Sequence, residues 1–303
     1  MQNQTGLDPR PGHPQEVAPD VRCILAPNPS PMTLHGTNTY IIGGTDLAVI
    51  DPGPDHADHL KAILAAVGPH QQITHILVTH AHVDHSPLSR ALSQATGAPV
   101  LAFGDAVAGR SPVMQQLAAQ GLAGGGEGVD RDFVPDQCLP HGAIVSGSGW
   151  TLEAVWTPGH FGNHLCFGFN DILFSGDLVM GWASSLVSPP DGDLSDFMAS
   201  CIALRRRNDR LYLSGHGAPV NDPRARLDWL IAHRRRREAD ILRALAEGPA
   251  TAETLARRIY TDTAALLLPA AARNVFAHLI DLAGKSTVRA EPEMSWHARF
   301  HLG

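Results

Sequence analysis

His80-Ala81-His82-Val83-Asp84-His85 places three imidazoles and a carboxylate within six residues. Imidazole nitrogen and carboxylate oxygen together form a ligand set for zinc or iron. The run follows Ile73-Thr74-His75-Ile76-Leu77-Val78, an apolar stretch rich in β-branched residues that predicts a buried strand. It precedes Ser86-Pro87, after which a helical pattern begins at Leu88. A short turn at a strand end can aim several side chains into one cavity while the strand holds the turn rigid. The plainer reading, a His-rich polar loop, is disfavoured because partners of matching type recur downstream. His160 ends Thr157-Pro158-Gly159-His160, Asp177 follows Gly176, and His216 lies in Ser214-Gly215-His216-Gly217. Each sits just past an apolar run or in a glycine-bearing turn, where the backbone can crowd a site without a clashing Cβ.

The elements that must position these residues alternate hairpins, helices and buried strands. Arg22 to Ala26 predicts a first strand. His35-Gly36-Thr37-Asn38 feeds a second, which turns at Gly43-Gly44-Thr45-Asp46 and returns over Leu47 to Ile50. A helix carries His59 to Val67, and further strands end at Thr157, Ser175 and Leu213. This pattern predicts a mixed sheet with helices packed on it. Residues 1–20, rich in proline and polar groups, are expected to be disordered. Gly121 to Gly128 holds five glycines and is expected to form an irregular surface loop rather than a flap over the site.

The chain has 303 residues and a net charge of −7. The balance is uneven, with 10 basic and 20 acidic residues in 1–220 and 13 basic and 10 acidic in 221–303. A boundary near Asn221 follows, giving a 21–220 domain and a 221–303 tail, with bound cations offsetting part of the acidic excess. No apolar stretch is expected to span a bilayer, and no apolar signal core opens the chain, so a cytoplasmic location without a membrane partner is expected. The four cysteines form no CxxC pair and are expected to be reduced, mostly buried thiols.

His80-x-His82-x-Asp84-His85 followed by His160, Asp177 and His216 resembles the signature of the metallo-β-lactamase-fold hydrolases, over about residues 22–220. The resemblance implies an α+β protein, an αββα sandwich with metals at one edge of the two sheets. It implies that His80, His82 and His160 hold one metal, that Asp84, His85 and His216 hold the second, and that Asp177 bridges them. The cofactors would be two divalent ions, zinc first, with manganese or iron as options. Ser86-Pro87 stands where the family has Gly-Gly, which changes a helix entry but no ligand. Two such ions about 3.5–4 Å apart can share a hydroxide and clamp attacking and leaving oxygens. Asp84 is the expected catalytic residue, orienting the nucleophile and relaying its proton. Asp51 matches a family position near the metals, where it would orient a ligating histidine; capping its own turn is an equal alternative. His164 is read as a packed strand-edge residue before a substrate ligand. His35, His56, His59, His70 and His75 are read as solvated or structural. Thr37 and Asn38 lie in a loop resembling the family's GTNTY stretch, with a minor expectation of substrate contact.

The tail reads as three helices and a ribbon. Pro223 to Glu247 forms one long helix crossed by Arg234-Arg235-Arg236-Arg237, then Thr251 to Ile259 and Pro269 to Ala283 follow. Ser286 to Ala290 and Trp296 to His301 would pair. This resembles the winged-helix tail of a β-lactamase-like branch that includes nucleases acting on RNA. A packing or dimerising module is the first reading of the tail, and nucleic-acid binding through arginine is the second. Asp rather than Cys at position 177 points away from exported β-lactamases. The expected activity is metal-dependent hydrolysis of a thioester or other acyl ester by a metal-bridged hydroxide. The alternatives are a single-stranded RNA endonuclease on the same site and a mononuclear iron persulfide dioxygenase. Expected partners are a small-molecule acyl substrate or single-stranded RNA, with a homodimer as an option.

Overall fold

A computed structural model describes residues 10–125 and 128–303. In chain order the elements are β1 (Gln15–Ala18), β2 (Val21–Leu25), β3 (Asn38–Ile42), β4 (Asp46–Ile50), α1 (Ala57–Ala65), β5 (Gln72–Leu77), α2 (Leu88–Thr96), β6 (Val100–Ala102), α3 (Pro112–Ala119) and β7 (Gln137–Cys138). There follow β8 (Ile144–Gly147), β9 (Trp150–Trp156), β10 (Leu165–Phe169), β11 (Ile172–Gly176), α4 (Leu194–Leu204) and β12 (Leu211–Ser214). The tail contributes α5 (Pro223–Ala246), α6 (Ala252–Ile259), α7 (Leu268–Gly284), β13 (Val288–Glu291) and β14 (Arg299–Leu302).

β1 to β7 form one sheet in sequence order, and a second sheet runs β12-β11-β10-β9-β8. The central strands bury both faces, which explains why they read as continuous apolar runs. In β3, Tyr40 and Ile42 face the second sheet, packing in one core with Leu152, Phe167 and Phe174. Ile41 faces the other way, into a core with Ile63 of α1 and Leu92 of α2. On the far side of the second sheet, Val155, Leu173 and Tyr212 pack under Phe197 and Cys201 of α4 and Leu227 and Leu230 of α5. The order is therefore helix, sheet, sheet, helix, the expected α+β sandwich. A fourth core, around Leu255, Val275, Phe276 and Phe300, holds the three-helix and ribbon tail together. β13 and β14 pair antiparallel as the expected ribbon.

Two expectations need correction. The disorder expected for residues 1–20 fails where the chain is described, because Gln15–Ala18 pairs antiparallel with β2. Ladder hydrogen bonds supply what that stretch lacks in apolar side chains; residues 1–9 lie outside the described residues. Where described, the glycine-rich stretch is the expected irregular surface loop, tied to the His80–His85 turn where Gly128 O accepts from Val83 N at 3.1 Å and Val129 bridges to His82. Its residues 126 and 127 lie outside the described residues. Finally, Ala265–Gly284 is, by length and composition, apolar enough to cross a bilayer. In the fold, α7 is instead the central helix of the tail core, where Val275, Phe276 and Leu279 find protein partners.

Candidate metal centre

The sheet topology explains why residues so far apart in sequence meet. β4 and β5 run parallel, as do β11 and β12, so the C-terminal ends of each pair share an edge. β9 is antiparallel to β10, and β10 to β11, which brings the end of β9 to that edge as well. Asp51 follows β4, the His80–His85 turn follows β5, His160 follows β9, Asp177 follows β11 and His216 follows β12. β3 runs antiparallel to β4, so its start, Thr37 and Asn38, arrives there too. Asn38 donates from Nδ2 to Ser214 O and Gly217 O, both at 3.0 Å, and stitches the two sheets together beside the site.

All seven sequence candidates, His80, His82, Asp84, His85, His160, Asp177 and His216, are buried and converge. The ligand atoms of His80, His82 and His160 lie within 4.8 Å of one another, and so do those of Asp84, His85 and His216. His82 Nδ1 is 2.9 Å from His80 Nε2 and 3.1 Å from His160 Nε2. Asp177 lies between the groups, with Oδ2 3.2 Å from His216 Nε2 and 3.8 Å from His160 Nε2.

The outer hydrogen bonds settle which ring nitrogens face inward with a lone pair. His160 Nδ1 donates to Leu186 O at 2.7 Å, and His216 Nδ1 donates to Gly36 O at 3.1 Å. His85 Nδ1 donates to Asp51 Oδ2 at 2.9 Å. The Thr79 hydroxyl donates to Asp51 Oδ2 at 2.7 Å, so its oxygen is left to accept from His80 Nδ1 at 2.9 Å. In all four rings it is therefore Nε2 that faces the centre. Inward ring nitrogens gathered around two carboxylates, with the outer nitrogens already bonded, are a donor set that fits divalent cations.

The two halves differ electrostatically. Burial, with the neighbouring His160, pushes His82 down to about 3, and burial pushes His80 and His160 down as well. Burial thus favours the neutral form of all three rings. Burial also pushes His85 and His216 down, but Asp84 and Asp177 outweigh it, holding His85 well above its usual range and His216 at about 10. Burial favours protonation of Asp84 and Asp177, yet the facing histidines keep both ionised.

Around this centre the structure sorts the other sequence candidates. Asp51 orients His85, as the first of its two readings expected. Thr37 and Asn38 are fully buried scaffold rather than substrate contacts; the Thr37 hydroxyl donates to Asp84 Oδ2 at 3.3 Å. His164 is packed behind the centre with Nδ1 2.9 Å from the Thr157 hydroxyl. His59 is buried and bonded to Thr39, a structural role. Sequence reasoning missed Thr79 and the Leu186 carbonyl. A hydroxyl directly before His80 was a weak available signal, whereas a backbone carbonyl leaves none.

Comparison with known proteins agrees with this geometry. Residues 32–216 match the Metallo-beta-lactamase superfamily, and residues 251–296 match the Beta-lactamase associated winged helix domain. The chain belongs to the metallo-beta-lactamase superfamily and carries the associated winged-helix tail. It is 30% identical over 287 residues to the Beta-lactamase-like protein 2 homolog of Drosophila melanogaster, covering 88% of each chain. It is 30% identical over 239 residues to the atrochrysone carboxyl ACP thioesterase of a Cryptosporiopsis strain, covering 77% of this chain and 65% of that one. The match thus reaches just under two thirds of the thioesterase's length. A beta-lactamase domain protein of Burkholderia ambifaria shares the fold at a TM-score of 0.81 and 22% identity, covering 99% of this chain and 96% of that chain.

Proposed function

We propose that this enzyme hydrolyses a thioester or related acyl ester of a small-molecule substrate, using two divalent cations of which zinc is the first choice. His80, His82 and His160 would hold one cation, Asp84, His85 and His216 the other, with Asp177 contacting both. The observation that carries this reading is the convergence of inward ring nitrogens and carboxylates, four of the rings fixed by a hydrogen bond on the far side. Such cations acidify water and polarise a carbonyl. Asp84, kept ionised by its histidine neighbours and steadied by Thr37, would take a proton from the attacking water at Oδ and return it to the leaving thiol. Acyl chemistry is favoured by relatives from Cryptosporiopsis and Aspergillus fumigatus that are named thioesterases, the latter 32% identical over 238 residues. We further propose a division at about residue 221 and a cytoplasmic location, supported by four unpaired thiols, three of them buried.

The test is metal analysis together with turnover of an acyl-thioester panel, with single-stranded RNA and a persulfide as comparison substrates. Two metal equivalents and thioester turnover abolished by both Asp84→Ala and His82→Ala are expected. One iron with oxygen uptake on the persulfide, or RNA cleavage without thioester turnover, would refute the reading.

A further inference from the structure

A cavity of about 790 Å³ opens where α4, α5 and α7 meet, and none of the seven candidate ligands lines it. Its size lies within the range of roughly 300–1,000 Å³ usual for small-molecule pockets. His278, from the middle of α7, lines it and is 1% exposed, yet neither ring nitrogen has a hydrogen-bond partner. Arg234 also lines it, and its Nε is buried and unpartnered. Buried polar groups in folded proteins are nearly always paired, so two such groups at one cavity point to a missing partner.

None of the three lining acids is hydrogen-bonded to either group, and Glu238 faces Lys285 at 3.6 Å. Asp281 accepts from the Ser195 hydroxyl at 2.7 Å and from Lys285 at 2.6 Å. Asp193 accepts from the Ser111 hydroxyl at 2.7 Å and from Ser195 N at 2.9 Å. What is left over is mainly donor capacity, on the Arg234 Nε and one His278 nitrogen, with exposed Arg235 at the rim. Three acids, Asp193, Glu238 and Asp281, and three bases, Arg234, Arg235 and Lys285, line the cavity, and the charges acting on His278 itself are the cations. Burial, then Arg234, His233 and Lys285, hold the His278 imidazole neutral, well below its usual range. The remaining walls are apolar, formed by Leu194, Met198, Ile202, Ile280 and Met294. Unpaired donors at a buried point with hydrocarbon walls suit a ligand with an anionic, acceptor-only head and an apolar body.

We propose that this cavity binds an apolar carboxylic acid, its carboxylate on His278 and Arg234 and its chain along the α4 wall. The site is separate from the candidate metal centre and does not depend on what that centre hydrolyses.

Calorimetric titration of the metal-loaded full chain with decanoate and with decanol tests it. Ala199 is an exposed residue of the cavity wall, so Ala199→Trp blocks the space without touching a core. His278→Leu removes the imidazole. Decanoate is expected to bind once per chain, and decanol roughly tenfold or more weaker, as for loss of a charged hydrogen bond. Each variant is expected to weaken decanoate by a similar factor. Equal binding of acid and alcohol, decanoate affinity unchanged in both variants, or no binding at millimolar ligand would each overturn the proposal. Unchanged affinity in both variants would mean capture elsewhere, including at the metal centre. Loss in Ala199→Trp alone would overturn the headgroup assignment.

Discussion

Asp51 Oδ2 accepts from both His85 Nδ1 and the Thr79 hydroxyl, and its Oδ1 accepts from Thr79 N at 2.7 Å. Through Thr79 it also fixes the His80 tautomer, so one carboxylate orients a ring in each half of the centre. Its φ of 49° lies in the left-handed region, a conformation that the surrounding bonds over-determine. Asp51→Ala is expected to weaken metal affinity by about 10- to 100-fold, the usual effect of removing such a partner. Competition with a chromophoric chelator measures this, and unchanged affinity would show that the rings are held by packing alone. Gly215 matters for a different reason. A Cβ there would lie 2.4 Å from Asp177 Oδ1 and 2.7 Å from His85 Cε1. Gly215→Ala is expected to lower metal content while leaving the far-ultraviolet circular dichroism unchanged; full metal content would contradict that crowding.

At the scale of elements, the tail acts as a clamp on the segment between β11 and α4. Arg226 donates to Met180 O and Ala183 O, both at 2.6 Å, and Arg234 to Ser185 O. Asn274 of α7 accepts from Val187 N at 3.0 Å and from Arg234 at 2.9 Å. Between those two anchors lies Leu186, whose carbonyl holds His160. The four-arginine run therefore does not form one basic face. Arg234 is buried in the clamp, Arg237 pairs with Asp240, and Arg235 and Arg236 are exposed. An effect of Arg234→Glu on RNA binding would report a damaged fold rather than a lost phosphate contact. Asn274→Ala should leave two buried donors unpaired, at a cost of about 1–3 kcal/mol each, and lower kcat more than it raises KM. Asn274→Asp, which keeps the acceptor, should restore most of the loss. Rescue failing while the melting temperature recovers would sever the tail from His160.

For the molecule as a whole, α5 ties two cores together, with Leu227 and Leu230 in one and Ile241 and Leu245 in the other. Two histidines outside the candidate site are held down by burial, His59 buried on α1 and His233 half-buried on α5. Burial pushes His59 down to about 4, and burial with the neighbouring arginines pushes His233 to about 4, from an ordinary 6.5. Above the ordinary value these rings are neutral folded or unfolded, and stability is at its full level. As pH falls from about 6.5 toward about 4, the unfolded chain binds protons that the folded chain refuses, so stability is lost. The melting temperature should fall over that window, and less steeply in His59→Gln. A melting temperature flat from pH 7 to pH 5 would contradict this.

The sequence alone determined the types of the candidate ligands, their order and their place at strand ends. A strand followed by a glycine or histidine turn is a local pattern that survives in any fold containing it. Residues 80–85, His160, Asp177 and His216 were legible for that reason, and so was the three-helix, ribbon tail. Tertiary structure alone decided that Asp51 reaches two rings, that Leu186 offers its carbonyl to His160, and that Arg234 is buried while Arg235 is not. It also paired β1 into the sheet and left His278 facing a cavity. Such facts depend on which strands lie parallel and which helix face docks. Docking is set by contacts between residues as much as 180 positions apart, such as Gly36 and His216, and no local spacing encodes them.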